Sequence, residues 1–545
     1  MIAGIKNIEK EISSVLKKYE ILDNIEIRYS NLNNVDLQCN NLVRHSNNTN
    51  LSSIKTDLIT LIKENPLIES IEINEKNFIN MNFSNQYFFE YSQSIAERIK
   101  HTQKSSIIFD YGGPNIGKDL HVGHIRTLNI GRSLYNIFKL AGNKVVSDIH
   151  FGDWGMPVAQ IIAYIEHNNL DLEMLDYEDL ETIYPKANQL SSEDKDFYNT
   201  AKSIAMQLNS KNENYTKKWE TVYNLAIPNI KTLLDKLGHN FDWYFGESDV
   251  VNETDLVVSK AIDEKKVKKD DGALISTQEV DPPILITKSD GSYLYLTTDL
   301  GTVLFRENKS SFDKYIYVVD SRQENHFKQL FTTVKHFGLS DSDFFHVGFG
   351  TINGSDNKPF KTRDGGVYKL NLLFEDIKEK LKKYNSDDQV LNTLTNTVLT
   401  YSDLLPNRNQ NYIFDVDKFT DINGKTGIYI QYAQVRARKL LDSSTNAGSY
   451  NINYEINSEE RNLLLLITKF DYFFNLSLIN MEPHHLAEYL FNLSQAFNSF
   501  YTNNKIFSDE IPIETQINRI KIVEEFFNTI GLVFSCLGIE AAESM

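Results

Sequence analysis

The chain has 545 residues, 41% of them hydrophobic, which is enough for about three packed domains. Its net charge of −18 argues on its face against an RNA partner, since phosphate binding rests on Lys and Arg, and its two cysteines, Cys39 and Cys536, exclude a disulfide framework and a four-cysteine zinc site. No stretch is expected to reach the roughly 18 apolar residues of a membrane helix, and the acid-containing start is unlike a targeting peptide, so a cytoplasmic protein without membrane attachment is expected.

Residues 1–95 read as a small α+β unit: an amphipathic helix in MIAGIKNIEKEISSVLKKYE, an Asn-rich loop near 47–50, then strand-like IESIEI and FINMNF. From 96 to 415 strands and helices alternate, the pattern of a doubly wound parallel sheet, with a largely helical, acidic insertion near 160–280. From 416 to 545 the pattern is helical, with apolar stripes in RNLLLLITKFDYFF, PHHLAEYLFNLSQAFNSFYTN and NRIKIVEEFFNTIGLVFSCLG. Lys/Arg clusters at 264–269, 378–383 and 436–439 interrupt the acidity. Such strips can bind RNA on an otherwise acidic protein, and each also reads as a solvated helix face.

The most informative stretch is DYGGPNIGKDLHVGH, Asp110 to His124. It joins a buried strand, Ser106-Ile107-Ile108-Phe109, to a helix carrying Ile125, Leu128, Ile137 and Phe138 and ending near Gly142. A glycine bend at a helix amino terminus is an anion site, so a nucleotide phosphate is the expected ligand. Gly112 to Lys118 has the spacing G-x-x-x-x-G-K, but Asp119 follows where a P-loop places a magnesium-binding hydroxyl. The other candidate is His121-Val122-Gly123-His124, which by itself also reads as two surface histidines at a helix start.

That H-x-G-H motif is joined by Gly152-Asp153-Trp154-Gly155, Tyr295-Leu296-Thr297-Thr298-Asp299, Gln323 with His326, and Lys358-Pro359-Phe360-Lys361-Thr362-Arg363. With these, the chain resembles the bacterial arginyl-tRNA synthetases of class I nearly end to end, from Asp36-Leu37-Gln38-Cys39-Asn40 to Leu537-Gly538-Ile539-Glu540. The resemblance implies a Rossmann-type α/β catalytic domain over 96–415, a small α+β tRNA-contacting domain over 1–95 and an all-α anticodon-binding domain over 416–545. It implies ATP-dependent attachment of L-arginine to tRNA(Arg) through arginyl-adenylate, with ATP used together with Mg2+, no resident metal, and a monomer.

It also implies the site. His121, His124, Lys118 and Lys361 would be catalytic, with Gly123, His121, His124 and Lys361 at ATP. The loop around Lys361 departs from the usual KMSKS form, and Lys118 stands where arginyl enzymes offset that loss. A guanidinium keeps its charge and offers a planar fork of donors, so carboxylates must meet it. Glu247 and Asp299 would do so, with Tyr295 alongside, while Asn115, Gln323 and Asp110 hold the α-amino and carboxylate end. Read alone, Asp299 could cap its helix and Glu247 could be a surface acid. Phe78, Asn80, Tyr432 and Arg436 would touch tRNA, and the ending at Ala542 and Ser544 departs from the usual Pro-Glu-Arg-Met. The rivals are an altered paralogue that keeps the fold for RNA binding or inhibitor resistance, and another class I synthetase or small H-x-G-H nucleotidyltransferase. The absence of Cys/His zinc clusters and the long helical carboxyl end disfavour the second.

Overall fold

A computed structural model describes residues 3–32, 34–92, 95–100, 104–354, 368–444, 450–451 and 454–545. The chain forms two compact units, one of Met1–Lys100, Ile422–Cys536 and Glu540–Met545, the other of His101–Asp421 and Leu537–Ile539. The first unit thus joins the two ends of the chain.

Its amino-terminal part is a four-stranded antiparallel sheet of β1 (Ile27–Tyr29), β2 (Leu37–Cys39), β3 (Ile68–Ile73) and β4 (Ile79–Phe83), in the order β1-β2-β4-β3. β4 alternates as a one-face strand must, burying Ile79, Met81 and Phe83. Helix Ala3–Lys18 buries Ile8, Ile12, Val15 and Leu16, and helix Leu51–Lys63 buries Ile54, Leu58 and Ile62, spacings of three and four that make one apolar face. The carboxyl-terminal part is built from Gly427–Asp442, Ser458–Thr468, Phe470–Asn480, His484–Asn503 and Ile513–Leu537. Buried Asp36 links the two parts: it accepts the Phe83 N–H at 2.8 Å and a two-pronged pair from Arg461 at 3.0 and 2.5 Å.

One expectation needs correction. Ser458–Asn480, 23 residues that include an 18-residue stretch of mean hydropathy 1.3, is long and apolar enough to cross a membrane by length and composition, and is the one such segment among the described residues. The chain there turns between two helices at Lys469, and Leu463, Leu464, Ile467, Phe470 and Phe474 are buried within the unit, the pattern of a core helix pair.

The second unit carries β5 (Ser106–Tyr111), β6 (Lys144–Phe151) and β7 (Trp243–Gly246), then a small antiparallel sheet of β8 (Val267–Asp270), β9 (Ala273–Ser276) and β10 (Leu285–Thr287), then β11 (Lys314–Val318) and β12 (Asp343–His346). The main sheet is parallel in the order β12-β11-β5-β6-β7. From β5 the chain first runs outward through β6 and β7, then returns on the opposite side as β11 and β12. Such a reversal opens a crevice at the carboxyl ends of the two central strands. The expected insertion is interrupted: helices Met156–His167, Tyr177–Glu193, Lys195–Asn209 and Glu213–Lys236 come first, and then β7, a four-residue Trp-Tyr-Phe-Gly strand, rejoins the main sheet. Four residues are too few to show alternation, so the sequence hides this strand among helices.

Candidate active site

The bend after β5 lies at the sheet reversal. Gly112 has φ +98° and its N–H donates to Thr127 Oγ1 at 3.0 Å. Pro114 and Ile116 then exchange backbone hydrogen bonds with Gly152, which follows β6, at 3.0 and 3.1 Å. A Cβ on Gly152 would stand 1.8 Å from Asn115 Oδ1, so only glycine leaves room for this asparagine.

Helix His124–Leu140 begins at the second histidine of the motif, with Gly123 as its cap. The two imidazoles lie 4.1 Å apart between centroids. Their Nδ1 atoms are taken by backbone donors: His121 N–H donates to His124 Nδ1 at 3.1 Å, and Gly123 N–H to His121 Nδ1 at 3.0 Å. An Nδ1 that accepts must carry its ring's proton on Nε2, so both rings are set as Nε2–H donors. Burial, then His121, pushes the His124 pKa down to about 3, and burial with Lys118 lowers that of His121. Both act as neutral donors near pH 7. Gly123 has a reason beyond close approach of a nucleotide, since a Cβ there would meet the His121 ring at 2.8 to 2.9 Å.

Lys118 is exposed, its Nζ 5.2 Å from the centre of the Tyr184 ring, and no ion pair engages it among the described residues. Asp119 turns toward Lys369, 3.4 Å away, which also pairs with Glu181 at 2.5 Å. Burial and Glu181 raise the Asp119 pKa to about 6. Lys361 lies outside the described residues.

The acidic side of the crevice is held by the Gly-Asp-Trp-Gly segment. Asp153 is fully buried, accepts Ser248 N–H at 3.0 Å and Ser248 Oγ–H at 2.6 Å, and so anchors the 3-10 turn Glu247–Val250 that follows β7. Gly246 must be glycine, because a Cβ would meet Asp153 Oδ1 at 2.4 Å. Glu247 therefore stands at the carboxyl end of the sheet on a fixed turn. Burial first, then Asp299 and Asp153, raise its pKa to about 8, and no cation pairs with it among the described residues.

Helix Tyr295–Lys309 delivers the other groups from one face, at positions 295, 299, 302 and 306. Tyr295 at the mouth is 72% exposed, Thr302 is buried and Arg306 is 0% exposed. Burial and the Glu247 carboxyl raise the Tyr295 pKa. Asp299 caps nothing, since Leu294 is the cap residue; its Oδ2 instead meets His326 Nε2 at 2.6 Å. That bond raises the His326 pKa. Gln323 is exposed and precedes helix Glu324–Phe337 without a side-chain capping bond.

Arg306 went unnoticed in the sequence. Tyr317, Asp110 and Asp148 are in register across β11, β5 and β6 and face one side of the sheet. Arg306 lies over them, donating to Asp110 Oδ2 at 2.5 Å, to Asp148 Oδ2 at 2.7 and 3.0 Å, and to the Tyr317 hydroxyl at 3.4 Å. One oxygen of Asp110 is therefore engaged internally. A residue signal existed: Arg306 shares the helical face of Tyr295 and Asp299, eleven and seven positions on.

Of the residues expected at tRNA, Phe78 is half-buried and Asn80 accepts from Gln38 Nε2 at 2.8 Å. Arg436 stacks over Tyr432 at 4.0 Å and Tyr501 at 4.8 Å, and also donates to Tyr432 Oη and Asn498 Oδ1 at 2.7 and 3.0 Å. It is a braced stack with its guanidinium engaged. Ala542 is buried, its N–H donating to Gln431 Oε1 at 2.9 Å, so this departure at the carboxyl end is a packing position.

A parallel sheet with H-x-G-H at its reversal and a separate helical carboxyl part is the arrangement of a class I aminoacyl-tRNA synthetase. Residues 91–416 match the family described as tRNA synthetases class I (R), catalytic domain; 430–545 match the DALR anticodon binding domain; and 5–83 match the arginyl tRNA synthetase N terminal domain. The chain is 33% identical over 531 residues to an arginine–tRNA ligase of Alkaliphilus oremlandii, covering 90% of each, and 31% identical to that of Agathobacter rectalis, covering 84% of this chain and 85% of that one. Among solved structures, the arginyl-tRNA synthetase of Plasmodium falciparum superposes with TM-score 0.81 at 25% identity, covering 99% of both chains. That of Thermus thermophilus shares the fold, with TM-score 0.80 at 16% identity, over 99% of this chain and all of that one. This chain belongs to the arginyl-tRNA synthetase family.

Proposed function

We infer that the protein is an arginine–tRNA ligase, joining L-arginine to tRNA(Arg) with ATP, supplied with Mg2+, as the energy source. The observation that carries this reading is Glu247: a carboxyl enclosed beside Asp299 and Asp153, raised to a pKa of about 8, with no cation paired to it among the described residues. A like-charge cluster of this kind is stabilised by a guest cation, and a guanidinium meets two carboxylates through its fork of donors.

In the first step an arginine carboxylate oxygen attacks the α-phosphate of ATP, an oxygen–phosphorus bond forms and pyrophosphate leaves. In the second a hydroxyl of the terminal ribose attacks the arginyl carbonyl, its proton is lost and AMP leaves. Neither step needs a covalent enzyme intermediate, so positioning and charge stabilisation suffice. His121 and His124 would donate their Nε2–H groups to phosphate oxygens as charge builds there. Lys118, and Lys361 on sequence grounds, would supply positive charge at the phosphates. Glu247 and Asp299, the latter oriented by His326, would receive the guanidinium beside Tyr295. Asn115, Gln323 and the unengaged oxygen of Asp110 would hold the amino-acid end. The protein acts as a monomer in this reading, with Phe78, Asn80 and the Tyr432–Arg436 stack at the tRNA, and works in the cytoplasm.

The decisive experiment is exchange of labelled pyrophosphate into ATP with each of the twenty amino acids, tRNA present. Exchange with arginine alone is expected. Exchange driven by any other amino acid, with arginine inert, overturns the assignment.

A further inference from the structure

Beside the paired histidines, two acids from separate elements share one lysine. Helix Tyr177–Glu193 turns one face, carrying Tyr177, Glu181 and Tyr184, toward Lys118 and Asp119 in the loop that precedes His121. Along the same loop, His121 and Lys369 form an antiparallel bridge, with Val122 N–H donating to Tyr368 O at 3.0 Å and Leu370 N–H to Leu120 O at 2.8 Å. This pairing fixes the backbone of Lys369 next to the motif. Its Nζ donates to Glu181 Oε2 at 2.5 Å and stands 3.4 Å from Asp119 Oδ2. Both acids are largely enclosed, their side chains 13% (Glu181) and 17% (Asp119) exposed. Burial first, and then these two carboxylates, raise the pKa of the Tyr177 hydroxyl. The cluster therefore concentrates negative charge that one ammonium offsets. Lys118 adjoins Asp119 in the chain, and Tyr184, under its Nζ, is three positions from Glu181 on the same helix. Yet no ion pair engages Lys118 among the described residues, and its charge adds to burial in lowering the pKa of both His121 and His124.

We propose that Lys369 is a positioning residue for ATP: by occupying Asp119 and Glu181 it leaves the Lys118 ammonium free for the nucleotide phosphates. The inference rests on the phosphate role given to Lys118 above. Lys369 itself need not meet ATP. Without it the two carboxylates lose their shared cation, and Lys118 is the ammonium that adjoins them in the loop and on the helix face. An ion pair there would draw Lys118 off the phosphates, and the uncompensated acids would oppose a triphosphate. This role differs from a structural clasp in one respect. A clasp is lost when any of its charges is removed, whereas a charge-balancing lysine becomes dispensable once both acids are neutral.

The test is calorimetric titration of the full-length chain with ATP and Mg2+ at about pH 8, where the carboxylates are ionised. Arginine is left out, so the outcome does not depend on which amino acid is activated. Adenosine, which lacks phosphates, is the reference ligand. Lys118→Ala should weaken ATP binding by about tenfold and leave adenosine binding unchanged, as for one lost charge-assisted bond. Lys369→Met should do the same. Lys369→Met combined with Asp119→Asn and Glu181→Gln should return ATP affinity to within about threefold of the wild type. Equal losses of ATP and adenosine affinity in Lys369→Met, or a triple variant no better than Lys369→Met, would make Lys369 a structural clasp and overturn the proposal. Unchanged ATP affinity in Lys369→Met with Lys118→Ala impaired overturns it alone. Unchanged ATP affinity in Lys118→Ala overturns the phosphate role of Lys118 and the proposal with it. The triple variant decides the matter if Lys369→Met fails to fold: near wild-type ATP affinity supports the proposal, and a loss of about tenfold overturns it.

Discussion

Arginine binding should release a proton. The free Glu247 carboxyl has its pKa raised to about 8, by burial first and by Asp299 and Asp153 after it. At pH 7 a group of pKa 8 is ionised in roughly one molecule of eleven, and at pH 6 in roughly one of a hundred. If the guanidinium binds the ionised form, apparent arginine affinity should rise about ninefold from pH 6 to pH 7. It should rise roughly a further fivefold from pH 7 to pH 8 and flatten above that, about 1.4 kcal/mol per pH unit on the steep limb. The sign is opposite for stability of the arginine-free protein: the folded state holds this proton more tightly than an unfolded glutamate does, so Glu247 lowers stability as pH rises from about 4.5 to about 8. Calorimetric arginine titrations in two buffers of different ionisation enthalpy measure both affinity and protons released, with about 0.9 proton expected per arginine at pH 7. Glu247→Gln should release none. A constant affinity between pH 6 and 8 with no proton release would refute the argument that Glu247 is the unpaired acceptor.

Four further outcomes are expected. His124→Ala should slow arginine-dependent pyrophosphate exchange by roughly a hundredfold with arginine affinity nearly kept, as for one lost oxyanion donor; near-normal exchange would remove His124 from the chemistry. Asp299→Asn should raise the arginine KM strongly, weaken discrimination against citrulline, and lower the His326 pKa seen by NMR; an unmoved His326 resonance would mean that the pair is not formed in solution. Gly152→Ala places a methyl group on the Asn115 amide, so exchange should fall while circular dichroism stays native; full activity would show that Asn115 is free to move aside. Arg306→Met leaves Asp110 and Asp148 without their buried cation and should cost about 3 to 5 kcal/mol in a denaturant titration, with a loss below ~1 kcal/mol arguing that water or protonation replaces the guanidinium.

Much of this was readable from residues with local or periodic signatures. The strand before the H-x-G-H motif, the helix after it, β3, β4 and the apolar helices of the carboxyl end all announce themselves by alternation or by three-and-four spacing. The crevice residues were named because short motifs carry them. What stayed hidden depends on tertiary register. β7 is too short to show a period, although it positions Glu247. Asp153 looks like part of a glycine turn, and only the fold shows its carboxylate holding Ser248. Arg306 reads as an ordinary charged residue near a helix end, because nothing local reports that Asp110 and Asp148 face it from adjacent strands. The cap reading of Asp299 falls with its place as the fifth residue of a helix that starts at Tyr295, where its carboxylate meets His326 instead.

The buried guanidinium of Arg306 has a consequence for substrate polarity. A crevice lined by several acids could in principle accept a dication such as arginine in either direction, with its side chain at one end or the other. Arg306 would remove that symmetry, since Asp110 already gives one carboxylate oxygen to a guanidinium of the protein's own and has only the other left for the smaller α-amino end. In the proposed reading the side chain would enter at Glu247, a carboxyl with no cation paired to it among the described residues, and the α-carboxylate would be directed back toward the paired histidines. Head and tail of the substrate would then be sorted before any group touches ATP, by a residue that need not meet the ligand.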